Sequence, residues 1–337
     1  MFRIRIQNKK KCIWYCSAVV SFLLFLLLLG WTNHLANTQD AQQMAGRWSE
    51  KKDVAQISCF FSSKAEVTED TIQSFEYSLK NVLQEASITE TSENPSARLW
   101  VDAYSADGKI TLVNGKNTLD ANAIGIGGDF FMFHPLKLIT GSYFSGNDLM
   151  QDYCIIDQDA AWQLFGSNDV VGMTVYIGNV PHIVTGVVQR PDSRMDKAAG
   201  LNSTVVYVSY ETLSAYGTNN GINHYEIVMP NPVDEFAYSK VKEGIGIDEK
   251  NVEIVENSRR YSLPNRIKTI LAFGTRSMNG KAIIYPYWEN LARGYEDIIA
   301  LLTVFMLLLS LYPVVTVIWC FVPVSYTHLR AHETGRN

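Results

Sequence analysis

Residues 141–193 read GSYFSGNDLMQDYCIIDQDAAWQLFGSNDVVGMTVYIGNVPHIVTGVVQRPDS. Changes of pattern divide the stretch. Gly141, Gly146 and Asn147 punctuate a turn. Tyr153, Cys154, Ile155 and Ile156 make an apolar run of strand length between Asp152 and Asp157. The period then changes. Ala160, Ala161, Leu164 and Phe165 fall three and four apart, which is one face of a short helix. Asp157 or Asp159 caps that helix, and Gly166 stops it. Beyond Gly172, residues 173–177 and 182–188 read as two strands of a hairpin joined by Gly178, Asn179, Val180 and Pro181.

Working outward, strand and helix signals recur on both sides. Residues 54–61 fit a buried strand. Residues 68–85 are the clearest helix. Thr68 with Thr71 offers a cap, Glu69 and Asp70 occupy the first turn, and Ile72, Phe75, Leu79, Val82 and Leu83 form one apolar face. Glu93, Asn94 and Pro95 break the pattern. Residues 97–103 read as a strand, Ser-Ala-Asp-Gly-Lys at 105–109 as a hairpin turn, and 110–113 as its return, with 122–127 a further strand. Later come a strand at 224–229, a helix within 232–244 ending at Gly244, and a strand at 252–255. Two strand–helix–strand units imply an α+β domain in which helices cover a sheet face.

The ends of the chain point to a membrane. Residues 1–11 hold Arg3, Arg5, Lys9, Lys10 and Lys11 and no acid; residues 12–31 hold no charge. A helix of twenty residues spans ~30 Å, the thickness of a bilayer core. The basic flank puts the N-terminus in the cytoplasm. The alternative is a cleaved signal peptide; the run is long for one, and no A-x-A site directly follows it. A second uncharged run, 298–322, contains Tyr312, Pro313 and Trp319. Pro313 points either to neighbouring helices that satisfy the backbone it leaves open or to a helix simply kinked in lipid. The 29 basic and 34 acidic residues of the chain leave 22 and 33 between the two runs, a net of −11. This asymmetry fits an outer domain at 32–297 and excludes nucleic acid as a partner. Leu35, Met44 and Trp48 are expected to line a stalk helix leaving the first span. The aromatic-rich segment 285–298 is expected to be an interfacial belt. The competing reading makes Glu289, Arg293, Glu296 and Asp297 a collar coupling outer domain to membrane.

The order of elements in 141–188 resembles the extracytoplasmic core of MacB-type, FtsX-like ABC transporter permeases. Gly141, Tyr143 and Phe144, the block IIDQDAAWQLFG ending at Gly166, and VGMTVYIGNVPHIVTGVV carry the resemblance. It implies two βαβ-like halves with a mixed α/β lobe, about 130–216, inserted between them as the distal part. It also implies a bacterial plasma-membrane permease subunit whose ATP and Mg belong to a separate ABC ATPase. The expected partners are that ATPase, a second permease copy or a related one, and lipid. Peptides, antibiotics or lipid-linked molecules are the implied cargo, for export or extraction. The family continues into two more membrane helices, whereas residues 324–337 read VSYTHLRAHETGRN, so 323–337 is expected to be a non-native tail. The alternative function is a two-helix sensor ectodomain lacking its signalling domain.

No catalytic, cofactor-binding or metal-ligating residue is assigned. There is no G-x-x-x-x-G-K-[ST], G-x-S-x-G or H-E-x-x-H, and GIGGD at 125–129 is read as a strand end. His134, His182 and His224 lie in different predicted elements and are read as structural. His328 and His332, four apart, have metal-pair spacing but fall in the suspect tail. Cys59 and Cys154 are either buried thiols or a disulfide.

Overall fold

A computed structural model describes residues 2–49, 53–89, 98–275 and 281–333, with side chains between residues 11 and 319. In chain order the strands are β1 (Val54–Phe61), β2 (Val101–Asn114), β3 (Asn117–Gly128), β4 (Lys137–Gly141), β5 (Tyr153–Asp157), β6 (Thr174–Ile177), β7 (Val180–Gln189), β8 (Val205–Ser209), β9 (Thr218–Asn219), β10 (His224–Pro230) and β11 (Val252–Glu256). The helices are α1 (Phe2–Asn37), α2 (Met44–Trp48), α3 (Glu69–Glu85), α4 (Phe130–Phe133), α5 (Gln158–Phe165), α6 (Arg194–Ala199), α7 (Tyr210–Tyr216), α8 (Phe236–Gly244), α9 (Leu263–Leu271) and α10 (Tyr287–Glu333). Contacts divide the chain into a sheet domain, Gln39–Ser262 with Thr275–Gly294, and a helical unit, Met1–Thr38 with Leu263–Gly274 and Tyr295–Asn337.

In the sheet domain the described strands join one mixed sheet, ordered β11-β1-β10-β2-β3-β8-β5-β7-β4, with β6 bridging β2 and β7 and β9 on β2. The expected inserted lobe, 130–216, therefore extends the same sheet through the parallel pair β3 and β8. The helix–hairpin block folds as its pattern requires. Asp157 caps α5 by accepting the Ala160 N–H at 2.8 Å, and Gly166 ends it with φ +72°. Asp157 also accepts the Val205 N–H (3.0 Å) and Arg190 Nη1 (2.5 Å), so one carboxylate ties α5 to the start of β8. The hairpin turn is shorter than expected. Gly178 and Asn179 alone make it, both at positive φ, while Val180 and Pro181 pair in β7.

Two other expectations fail. Residues 105–109 are not a turn; β2 runs straight through them and reverses at Gly115 and Lys116. The glycine there answers a distant demand, since a Cβ at Gly108 would lie 2.3 Å from the Thr218 carbonyl and 3.0 Å from Leu213. Nor does a stalk helix include Met44 and Trp48. The long helix α1 ends at Asn37, and Met44 is buried in the core on a short helix against β1 and β10, with Trp48 packed on the same cluster. The α3 helix forms as expected, with the Thr68–Thr71 capping box and Ile72, Phe75, Leu79 and Leu83 buried against β1, β10 and α8. Glu93, Asn94 and Pro95 lie outside the described residues.

Among the described residues two helices are long and apolar enough to cross a membrane, Lys11–Asn37 and Tyr287–Trp319; the helical unit holds the first and the part of the second from Tyr295 on. They run antiparallel. Trp14 meets Trp319 (4.8 Å between rings), Ser17 Oγ meets Tyr312 OH (2.7 Å), and Ser21 Oγ donates to the Leu309 carbonyl (2.8 Å). Pro313 has no N–H to offer the carbonyl four residues back, so Ser21 supplies the donor that α10 lacks there. The helix continues unbroken through the proline.

Candidate functional site

The sheet domain contains a buried polar chain leading from β10 to the first turns of α10. Glu226, on β10, is 1% exposed. Ser58 Oγ donates to its Oε1 (2.5 Å), and Asn257 Nδ2 donates to Ser58 Oγ (2.7 Å). Arg260 Nη1 donates to Asn257 Oδ1 (3.1 Å) and to Glu289 Oε2 (2.6 Å), while Nη2 donates to Glu289 Oε1 (2.8 Å). Arg293 Nε donates to the same Oε1 (2.7 Å) and lies 3.8 Å above the Tyr285 ring. Arg260 and Glu289 are both buried, which demands such full pairing.

The far end of this chain is a histidine–carboxylate cluster. His134, just past α4, places Nε2 2.7 Å from Glu226 Oε2, and His224 places Nε2 3.5 Å from Oε1. Both rings are buried, and Trp288 of α10 covers them at 4.2 and 5.2 Å between ring centroids. Burial pushes the Glu226 carboxyl up, but the two imidazoles outweigh it and hold the group below the usual carboxylate range. Burial lowers the pKa of His134.

These positions correct the sequence reading. His134 and His224 are not isolated, and the expected absence of any ligand-like grouping does not hold for them. One signal was available: His224 and Glu226 are two apart on a strand and so share a face. His134 reaches that face only through the fold. His182 stands apart, bonded to Thr212 and the Val180 carbonyl. The expected interfacial belt fails at Trp288 and Glu289, which are buried in the sheet domain, where Glu289 pairs with Arg260 and Arg293. Glu296 and Asp297 fall in the helical unit. Cys59 and Cys154 are unbridged, buried in separate core clusters, and burial pushes the Cys154 thiol up to about 12. The side chains of His328 and His332 lie outside the described residues.

A second polar feature is an open cleft of about 580 Å³ lined by Glu76, Lys80, Arg98, Trp100 and Asp102. Burial and the neighbouring Asp102 push the Glu76 carboxyl up to about 8.

Residues 22–250 match the family described as MacB-like periplasmic core domain. The chain belongs to that family. Among curated relatives, the macrolide export ATP-binding/permease protein MacB of Chromobacterium violaceum is 32% identical over 99 residues, covering 29% of this chain and 15% of that protein. Its counterpart in Shewanella sp. is 31% identical over 120 residues, 34% of this chain and 18% of that protein. The chain thus spans less than a fifth of the length of these relatives. Among solved structures, the periplasmic region of MacB from Actinobacillus actinomycetemcomitans covers 63% of this chain and 92% of its own, at 19% identity and TM-score 0.39. The extracellular domain of the noncanonic ABC-type transporter YknZ covers 59% and 99%, at 19% identity and TM-score 0.38. This chain thus carries a MacB-like periplasmic core domain together with two helices of membrane-spanning length.

Proposed function

We propose that this MacB-like chain is a permease subunit of a bacterial ABC transporter, and that its sheet domain is a mechanical element. Its N-terminus lies in the cytoplasm and the sheet domain outside. A partner ATPase binds and hydrolyses ATP, and a second permease copy or a related chain completes the assembly. Movement of the membrane helices displaces the sheet domain and so drives export or extraction of a peptide, antibiotic or lipid-linked cargo.

The observation that supports this reading is the seating of α10. Its first turns are fixed in the sheet domain by Trp288 and by Glu289 between Arg260 and Arg293, and the same unbroken helix goes on to form the apolar stretch. A helix shared by both parts is a secondary element through which displacement can be passed. The test is copurification from native bacterial membranes in detergent. A stoichiometric subunit with a phosphate-binding loop and ATPase activity is the expected result. A histidine kinase or signalling adaptor in its place would overturn the transporter reading.

A further inference from the structure

The cluster under Trp288 has a property that the transporter reading does not use. His134 Nε2, His224 Nε2 and Glu226 Oε2 are buried; His134 Nε2 and Glu226 Oε2 pair at 2.7 Å, yet none of the three atoms meets a described partner at good hydrogen-bond angles. Buried polar atoms are almost always well satisfied, so three that converge on one point at poor angles require an explanation. Two imidazole nitrogens and one carboxylate oxygen are a common donor set for late first-row divalent cations. One ligand atom from each residue lies within 4.8 Å of the other two. A tetrahedral ion ~2.1 Å from each ligand atom sets the pairs ~3.4 Å apart, so the His134–Glu226 pair opens from 2.7 Å and the widest pair closes by on the order of an ångström. The surrounding shell is also of the right kind. Ser105 Oγ stands 3.4 Å from His224 Nδ1, the outer ring nitrogen whose bond orients a ligating histidine. Ser58, backed by Asn257, holds Glu226 Oε1.

We propose that His134, His224 and Glu226 form a structural binding site for a divalent transition metal of the zinc type. The ion takes the place of the poorly aligned contacts among the three atoms and fastens the end of α4 to β10 directly beneath Trp288. The cluster is closed to water, so the ion is acquired during folding or when the first turn of α10 lifts. Nothing in this proposal depends on the chain being a transporter.

The test uses the full chain in detergent, without a polyhistidine tag, stripped with a chelator and titrated with Co2+ and then Zn2+. The expected result is one Co2+ per chain with visible d–d absorption that Zn2+ displaces. His224→Gln and Glu226→Gln, each checked for native far-UV circular dichroism, lose that absorption. Ser105→Ala leaves all three ligands in place and weakens binding on the order of tenfold, which keeps the proposal testable if the ligand variants misfold. A natively folded wild-type chain that gives no Co2+ band would overturn the site. So would a band that persists in both ligand variants, which would place the ion elsewhere, with His328 and His332 the obvious competitor.

Discussion

Ser21 of one apolar helix donates a hydrogen bond to the carbonyl of Leu309 on the other, four residues before Pro313. That carbonyl is the one the proline leaves without a helical donor. Ser21→Ala should weaken the helix pair by about 1 kcal/mol. In a Pro313→Ala background the effect should shrink, because the substituted alanine brings its own N–H. A double-mutant cycle by unfolding in detergent measures the coupling; equal losses in both backgrounds would refute the pairing.

Glu289 sits between two arginines of unequal burial, Arg260 at 3% and Arg293 at 26% side-chain exposure. Glu289→Leu removes the carboxylate that pairs in two-pronged fashion with the buried Arg260 and should destabilise the sheet domain by about 3–5 kcal/mol. Arg260→Met should do less, since Arg293 still neutralises the carboxylate. The combined Arg260→Met and Glu289→Leu variant should recover much of the loss. Thermal unfolding of the full chain orders the three.

Asp157 satisfies a helix cap and a buried strand N–H with one side chain. Asp157→Ala should lose roughly 2–4 kcal/mol, combining the cap with an unsatisfied Val205 amide. Asp157→Asn, which keeps a cap acceptor, should lose less. Hydrogen exchange at Ala160 and Val205 reads both ends separately.

At Gly108 an added methyl meets the Thr218 carbonyl and Leu213. Gly108→Ala should therefore displace β9 and α7 at a cost of about 1–3 kcal/mol, seen in the unfolding midpoint.

Glu76 prefers its protonated form in the folded chain, with its pKa raised from 4.5 to about 8 by burial and by Asp102. Its contribution is fully present below the unfolded value near 4.5 and is lost as pH rises toward 8. The melting temperature should fall across that window in the wild type. Glu76→Gln should flatten the decline; an unchanged slope would show that the carboxyl titrates normally.

Elements whose cause is local could be read from the chain. The α5 block needs only Asp157, four apolar residues at helical spacing and Gly166, and α3 needs only its capping box and one apolar face. Residues 105–109 misled because Asp107, Gly108 and Lys109 have turn composition. The glycine is instead required by β9 and α7, which arrive over a hundred residues later. The same holds for the polar chain. His224 and Glu226 were legible as one strand face, but their meeting with His134, and that of Arg260 with Glu289, exist only once the sheet and α10 are in place. The segment 285–298 carried belt-like composition, and tertiary burial of Trp288 decided otherwise.

The position of β1 in the sheet has a consequence for biosynthesis. Ile57 pairs with Ile227 on one side and Glu256 on the other, 170 and 199 residues later. At ~5–20 residues per second, the ribosome needs on the order of ten seconds or more to deliver either partner. Throughout that interval an apolar strand near the N-terminus has both edges open, a condition that favours aggregation. Nascent chains of this protein should therefore depend on a holding chaperone until β10 and β11 have been made.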